Sequence, residues 1–315
     1  MTSHASASGL LISLPDLSTE AWPTPPAGRK FRLGSEAHKR LFCRTLLDTY
    51  DPYRPAIIDW PELAPDALKR LTGLPIWDIA VATEGRAMRR VKSYADVLDD
   101  ELLKKAVELN AYEEGRHKLV LSNLVEAYGI KLEEEPAYNS PKDPEWSFLV
   151  TGFSECIDSF FAFGLFETAK RSGFFPEALV DTFEPVIAEE GRHILFFVNW
   201  VAWHRRNMPL WRRPWFELKV WAVWIFLALE RMSLAKDLEG GSAEMQDNNF
   251  TVSGAEQLGI DIDVADLMDL CLAENDRRLG KYDARLVRPN FVPRMVRLAR
   301  GTFLKPAKKA AAAAA

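Results

Sequence analysis

A five-residue string, Glu-Glu-Gly-Arg-His, occurs twice in the chain, at residues 113–117 and 189–193. Each copy places a histidine three residues after a glutamate, and residues three apart lie side by side on one face of a helix. A partial copy upstream keeps the glutamate, Glu84, but has Ala87 where the histidine would stand. The pattern predicts several helices that carry carboxylate and imidazole groups to one shared metal site.

The residues that follow each copy indicate that both motifs are buried. The second copy runs into Ile-Leu-Phe-Phe-Val and the first into Lys-Leu-Val-Leu. A bare carboxylate or imidazole in a core costs several kcal/mol, so these groups must be paired or bound to metal. A solvated helix face would explain one isolated Glu-x-x-His, but not two identical pentapeptides. Gly115 and Gly191 each cost about 1 kcal/mol inside a helix and suggest that close packing or space for a ligand is needed there. Arg116 and Arg192 fit either outer partners of the site or surface charges.

Further ligands can be predicted from helical hairpins. In two antiparallel helices joined by a short turn, residues at equal distances from the turn lie side by side. The midpoint between Glu84 and Glu114 falls near residues 96–100, a plausible break between two helices. Each residue then lies about 15 positions from the turn, roughly 22 Å of helix. The same construction around the Gly and Pro residues at 172–176 requires an acidic residue at about 155–158. Both Glu155 and Asp158 qualify, and the longer side chain favours Glu155.

In its order Glu, Glu-x-x-His, Glu, Glu-x-x-His, the chain resembles the ferritin-like superfamily of di-metal carboxylate proteins over about residues 75–205. The resemblance implies an all-α fold, a four-helix bundle with a long crossover, here at residues 129–146, between its two hairpins. Apolar periodicity predicts the bundle helices at 76–98, 101–128, 146–171 and 176–206, with further helices before and after them. Carried over position by position, the implied metal ligands are Glu84, Glu114, His117, Glu155 or Asp158, Glu190 and His193.

Several functions of that superfamily are disfavoured by particular residues. The chain has three scattered cysteines, so it cannot form the four-cysteine iron centre of rubrerythrins. Leu121 stands where the small subunit of ribonucleotide reductase has its radical tyrosine. About 75 residues precede the bundle and about 110 follow it, unlike the compact chains of ferritin cages. The resemblance then implies a di-iron oxidase or oxygenase, with a ferroxidase or iron-binding protein as the alternative.

The implied cofactor is a pair of iron ions, with manganese or a mixed Mn/Fe pair as alternatives and O2 as co-substrate. Because no G-x-G-x-x-G fingerprint occurs, the electrons are expected from an external reductase or ferredoxin. The substrate is expected to be a small or lipid-like apolar molecule. A run of apolar residues after Glu155 could line a tunnel to it, although ordinary core packing explains the run as well. The run comprises Phe160, Phe161, Phe163, Leu165 and Phe166.

Composition places the chain among soluble proteins of a reducing compartment. The net charge is −5, and no basic block suggests nucleic acid. The odd number of scattered cysteines argues against a disulfide framework. The first 26 residues lack the charged and apolar regions of a signal peptide, so a cytoplasmic location is expected.

The expected organisation is a flexible lead, a helix with a Pro-rich wrap, the di-metal bundle, a helical appendage and a Lys/Ala tail. Their predicted ranges are 1–34, 35–74, 75–239, 240–304 and 305–315. A fifth helix after Pro214 contains ten apolar residues, too few to span a bilayer. Packing on the bundle or on a second subunit in a homodimer is the favoured interpretation, and contact with a membrane surface is the alternative.

Overall fold

The computed structural model describes residues 12–135, 137–240 and 264–302, with side chains throughout except in 233–240. Within these ranges the protein is all-helical and contains no strand, which confirms the predicted all-α bundle fold. Short 3-10 turns at Pro55–Ile57 and Leu210–Arg212 lie between the longer elements. The α-helices are α1 Glu36–Asp48, α2 Pro65–Thr72, α3 Trp77–Ala95, α4 Glu101–Ala127, α5 Pro144–Ser172, α6 Glu177–Asp181, α7 Glu184–Asn207, α8 Arg213–Gly240, α9 Val264–Gly280 and α10 Phe291–Thr302.

Side-chain caps fix where the long helices begin. Ser35, Asp100 and Asp143 precede α1, α4 and α5, and each accepts a hydrogen bond from a backbone N–H of the first turn. Such a bond satisfies one of the amide groups that a helix leaves without an internal partner. Helix α5 ends at Gly173, whose φ of 64° is the left-handed conformation that glycine adopts readily.

Four helices, α3, α4, α5 and α7, surround the centre of the molecule. Helices α3 and α4 pack along each other after a short link, α5 packs on α3 and α7, and α4 also contacts α7. Residues 128–143 form the long connection from α4 to α5. The predicted helices at 76–98, 101–128 and 146–171 correspond closely to α3, α4 and α5.

The fourth predicted helix, at 176–206, is divided into α6 and α7. The break precedes Pro185, which occupies the first turn of α7. Proline has no N–H to donate and its ring clashes with the carbonyl four residues earlier, so one continuous helix cannot run through it. The prediction of a single helix was wrong at this point, although α7 carries the second pentapeptide as expected.

An aromatic cluster fills the core on one side of the bundle centre. Phe148 of α5 lies 4.5 Å from Tyr94 of α3 and 4.8 Å from Trp200 of α7, measured between ring centroids. Helix α1 covers this cluster through Phe42, which packs on Phe196. Aromatic rings of this size bury 150–250 Å² each. They therefore hold three bundle helices and α1 in a fixed arrangement.

Residues 12–34 are the described part of the predicted N-terminal lead. They form no helix but pack on the core through Ile12, Leu17, Trp22 and Phe31. The predicted C-terminal helix is α9, and it packs on α5 and α7. At this contact a Cβ on Gly164 would clash with Cys271 of α9, so the two backbones approach closely. The first 11 residues, residues 241–263 of the predicted appendage and the tail at 305–315 lie outside the described residues.

One described helix, α5, is long and apolar enough to cross a membrane by length and composition. However, 61% of its most apolar stretch is buried inside the protein, as is usual for a core helix of a soluble protein. The sequence-based expectation of a soluble protein is compatible with this burial.

Candidate metal centre

The four central helices bring together glutamate and histidine side chains from distant parts of the sequence. Helix α3 carries Glu84, α4 carries Glu114 and His117, α5 carries Glu155, and α7 carries Glu190 and His193. These side chains form two groups in which the candidate ligand atoms lie within 4.8 Å of one another. The first group is Glu84, Glu114, His117 and Glu190, and the second is Glu114, Glu155 and His193.

Glu114 belongs to both groups and therefore lies between them. The two imidazole rings, of His117 and His193, are 5.6 Å apart between centroids. A glutamate shared by two neighbouring clusters has the position of a carboxylate that could contact two cations. The arrangement can hold a metal ion, and its two groups allow for a pair.

The structure distinguishes Asp158 from Glu155, the two α5 residues that the sequence left as alternatives. Asp158 accepts hydrogen bonds from Arg231 of α8 at 3.0 Å and from Ser154 at 2.9 Å. It belongs to neither of the two groups, whereas Glu155 belongs to the second. The guanidinium already neutralises Asp158, so Glu155 is the α5 carboxylate available to a cation.

Several buried polar atoms at the centre test whether a metal would fit. Oε1 of Glu114 and Glu155 and Nδ1 of His117 and His193 have no hydrogen-bond partner among the described residues. His193 Nδ1 lies 2.8 Å from Glu114 Oε1, but the two atoms are not aligned for a hydrogen bond. Leaving buried polar atoms without partners is costly, and native proteins rarely do so. Oxygen and imidazole nitrogen are ligands for divalent transition metals, which would satisfy all four atoms.

The charge of the candidate ligands also favours a metal site. The two groups contain four carboxylates, Glu84, Glu114, Glu155 and Glu190, and neutral imidazoles add no charge. Burial raises the pKa of Glu84 to about 8. Burial, together with the carboxylates of Glu114 and Glu190, raises the pKa of Glu155 well above its usual value. Four ionised carboxylates would carry −4, which two divalent cations neutralise, so the donor set fits such a pair.

A second layer of contacts joins the two pentapeptides across the bundle. The first glutamate of each copy contacts the histidine and the arginine of the other copy. Glu113 of α4 lies 2.7 Å from His193 Nε2 and accepts a 2.7 Å hydrogen bond from Arg192. Glu189 of α7 lies 2.9 Å from His117 Nε2 and also accepts from Arg116.

These outer carboxylates orient the two imidazoles. A carboxylate beside Nε2 favours a ring proton on that nitrogen, which would leave Nδ1 as the nitrogen that binds a metal ion at the centre. Burial alone would lower the pKa of His117 and His193, but the surrounding glutamates outweigh it and raise both values. Glu113 and Glu189 were not predicted to have a role. The only indication of one in the sequence is that both occupy the first position of the repeated pentapeptide.

The arginines and glycines of the repeats have unequal roles. Arg116 and Arg192 are buried and paired, which rules out the interpretation of surface charges. A Cβ on Gly115 would lie 2.9 Å from Met88 Sδ, so the helix packs closely on this side chain. At Gly191 a Cβ would make only ordinary 3.8 Å contacts. Close packing therefore explains the first glycine and does not explain the second.

A cavity of about 330 Å³ lies beside the glutamates of the two Glu/His groups. Glu84, Glu114, Glu155 and Glu190 contribute to its wall. Most of the remaining wall is apolar and comes from α2, α3, α4, α5, α6 and α7. Apolar residues of this wall include Leu71, Leu74, Trp77, Leu121, Leu165, Phe166, Phe175, Leu179 and Phe183.

The cavity only partly matches the predicted tunnel residues of α5. Leu165 and Phe166 line it. Phe160, Phe161 and Phe163 instead pack in the core against other helices. Phenylalanines on successive positions of a helix point in different directions, so one wall could not use them all. Ordinary core packing, the other interpretation of this run, therefore applies to its three phenylalanines at 160, 161 and 163.

His38, His204 and the three cysteines stand apart from the centre, and His4 lies outside the described residues. His38 is buried and lies 2.9 Å from Asn199 Oδ1, and His204 lies 3.0 Å from Glu145. The three cysteines are buried and unpaired on three different helices. No family model, curated protein or solved structure matches the chain.

Proposed function

We propose that the protein is a non-haem di-iron oxidoreductase that activates O2 to oxidise or hydroxylate an apolar organic substrate. The observation that carries the proposal is the cavity, whose wall includes residues of both Glu/His groups and is apolar over most of its area. Its volume of about 330 Å³ is within the usual range for small-molecule sites. The order of ligands along the chain, which resembles that of the ferritin-like superfamily, supports the same proposal.

In this proposal each group of side chains binds one iron ion. Glu84, His117 and Glu190 would hold the first ion, Glu155 and His193 the second, and Glu114 would contact both. A bound di-iron pair supplies the redox chemistry for the reduction of O2. Manganese in one or both positions is chemically compatible with the same oxygen and nitrogen donors.

The protein's own residues position the ligands and exclude water. Glu113 and Glu189 hold the Nε2 protons of the two histidines and so keep each Nδ1 directed at the centre. Ser159 donates a 3.1 Å hydrogen bond to Glu190 and fixes one rotamer of that carboxylate. The apolar wall would hold an apolar substrate beside the ligands. Electrons would come from an external reductase or ferredoxin.

The proposal is tested first by metal content and stoichiometry. Metal-free protein should bind two Fe(II) per chain without oxygen. Glu114→Ala should lose two-metal binding while keeping its helix content, because Glu114 contributes to both groups. On addition of O2, the expected result is oxidation limited to the two bound ions. Continuous ferric product at many equivalents per chain would instead establish the alternative, a ferroxidase.

A cavity-filling variant separates the organic reaction from metal binding. Ala162 lines the cavity on α5, so Ala162→Phe should occupy the substrate space while the metal stoichiometry stays at two. Ala178 is exposed on α6 and Ala178→Phe is the matched control. With reductant, O2 and a panel of apolar compounds, wild type and the control should form oxygenated product and Ala162→Phe should form less. Equal product formation by both variants would refute the assigned substrate site.

A further inference from the structure

Helix α8 exposes a broad apolar face to solvent. From Pro214 to Met232, every exposed residue of this helix is apolar. At 100° per residue these positions cover an arc of about 160°, wider than the apolar stripe of about 100° that a surface helix turns towards its core. The largest exposed side chains of the face, with Trp211 just before the helix, are Trp211, Trp215, Leu218, Trp221, Ile225 and Leu229.

The ionisable residues in the described part of α8 lie outside this arc, and three of them pair with other helices. Glu217 pairs with Arg205 of α7, and Lys219 contacts two acidic residues at the start of α5. Arg231 contacts Asp158 of α5. A helix at a water interface normally places its charges outwards and its apolar side inwards. The exposed arc of α8 from Pro214 to Met232 carries no charge, which indicates that this face meets an apolar medium.

Helix α10 extends this surface. Trp224 of α8 and Phe291 of α10 lie 4.5 Å apart between ring centroids, so the two helices adjoin. Exposed apolar side chains of α10, among them Met295, alternate along it with the exposed Arg294 and Arg297. This combination of apolar anchors and arginines suits the boundary between lipid tails and head groups.

Positive charge is concentrated in the segments that border the surface. Residues 284–302 contain five arginines and no acidic residue, although the whole chain has a net charge of −5. Residues 205–213, which lead into α8, contain four arginines and no acidic residue. Basic groups beside an anionic membrane each contribute about 1 kcal/mol of attraction. The charge pattern therefore complements an anionic lipid surface.

We propose that the outer faces of α8 and α10 bind the surface of an anionic lipid bilayer, with both helices lying in the interfacial plane. Tryptophan is a preferred residue at this depth because its ring is apolar and its N–H is polar. If α8 spanned the bilayer, Lys219 and Arg231 would lose the acidic residues of α5 with which they pair. Helix α8 therefore lies along the surface. A second copy of the chain would pair helices through a narrower seam and would not need the adjoining arginines. The proposal does not depend on the metal centre.

The test is co-sedimentation of the full chain with vesicles of phosphatidylcholine alone and of phosphatidylcholine with 30% phosphatidylglycerol. Wild type should bind the anionic vesicles, with a blue shift of tryptophan fluorescence. Trp215→Ser with Trp221→Ser should weaken binding about a hundredfold, since each buried side chain of this size contributes about tenfold. Val97→Ser with Ile57→Ser, which alters exposed apolar residues elsewhere, is the control and should bind as wild type does.

Charge reversal supplies an independent arm. Arg212→Glu and Arg294→Glu should each weaken binding to anionic vesicles about fivefold or more. Lys131→Glu reverses an exposed charge in the loop after α4 and should have no effect. Circular dichroism of each variant, with unchanged helix content, shows that folding is retained.

Three results would overturn the proposal. The first is absence of binding to anionic vesicles by wild-type protein. The second is equal binding to both kinds of vesicle, which would remove the role of charge. The third is a stable dimer in sedimentation velocity that dissociates in the tryptophan variant, because the face would then be covered by a second copy.

Discussion

Replacing Glu113 by glutamine should weaken one metal position and spare the other. The side chain is fully buried, and its two oxygens face Arg192 and His193, each at 2.7 Å. The amide keeps the shape of the carboxylate but loses its charge and one acceptor. His193 then loses the group that holds its Nε2 proton, whereas His117 keeps Glu189 at 2.9 Å. The loss should therefore fall on the group that contains His193.

The size of the effect follows from the contacts that remain. Removing a carboxylate that orients a metal-binding histidine costs roughly 10- to 100-fold in metal affinity, or about 1.4–2.7 kcal/mol. Removing one partner of a buried ion pair costs about 3–5 kcal/mol when the other charge is left bare. Arg192 retains Glu189 at 3.2 Å and a 3.0 Å hydrogen bond to the Leu46 carbonyl. The metal-free variant should thus lose less, about 2–3 kcal/mol of unfolding free energy.

The assay is an anaerobic Fe(II) titration in competition with a chelator, alongside denaturant unfolding of the metal-free protein. Wild type should show two tight positions, and Glu113→Gln should show one tight and one weakened. Glu189→Gln should do the converse through His117. Glu108→Gln, on the same helix α4 but partly exposed, is the matched control. If Glu113→Gln binds both ions as tightly as the control does, Glu113 does not orient His193 and the reasoning fails.

Three further outcomes test other parts of the structure. Asp158→Asn should leave the metal stoichiometry at two, because this carboxylate is held outside both Glu/His groups; loss of one ion would make it a ligand. Mainly through a hydrogen bond from His204, the pKa of Glu145 is lowered from 4.5 to about 2. The resulting stability is present above pH 4.5 and is lost as the pH falls towards 2. Glu145→Gln should therefore cost about 1 kcal/mol at pH 7 and little at pH 2 in denaturant unfolding, allowing for its partial exposure. Gly164→Ala should lower the Tm, since overpacking against Cys271 costs about 1–3 kcal/mol; an unchanged Tm would contradict the close approach of α5 and α9.

The metal centre shows how far a repeated motif can be interpreted. Glu114, His117, Glu190 and His193 follow from helical spacing, and Glu84 from equal distance to a turn. Those inferences use geometry that every α-helix and hairpin shares. The role of Glu113 does not follow from such geometry, because its partners belong to another helix 79 and 80 residues away.

The sequence by itself determined the helical class and the positions of the long helices, because apolar periodicity and capping residues act within a few turns of chain. It also placed five of the candidate ligands, Glu84, Glu114, His117, Glu190 and His193, at one height along the bundle. Only the tertiary structure distinguished Glu155 from Asp158, since the difference is an ion pair with Arg231 of α8. The cavity and the outward apolar face of α8 were likewise decided by packing. The direction a side chain faces in a bundle depends on helices far along the sequence, and no local pattern contains that information.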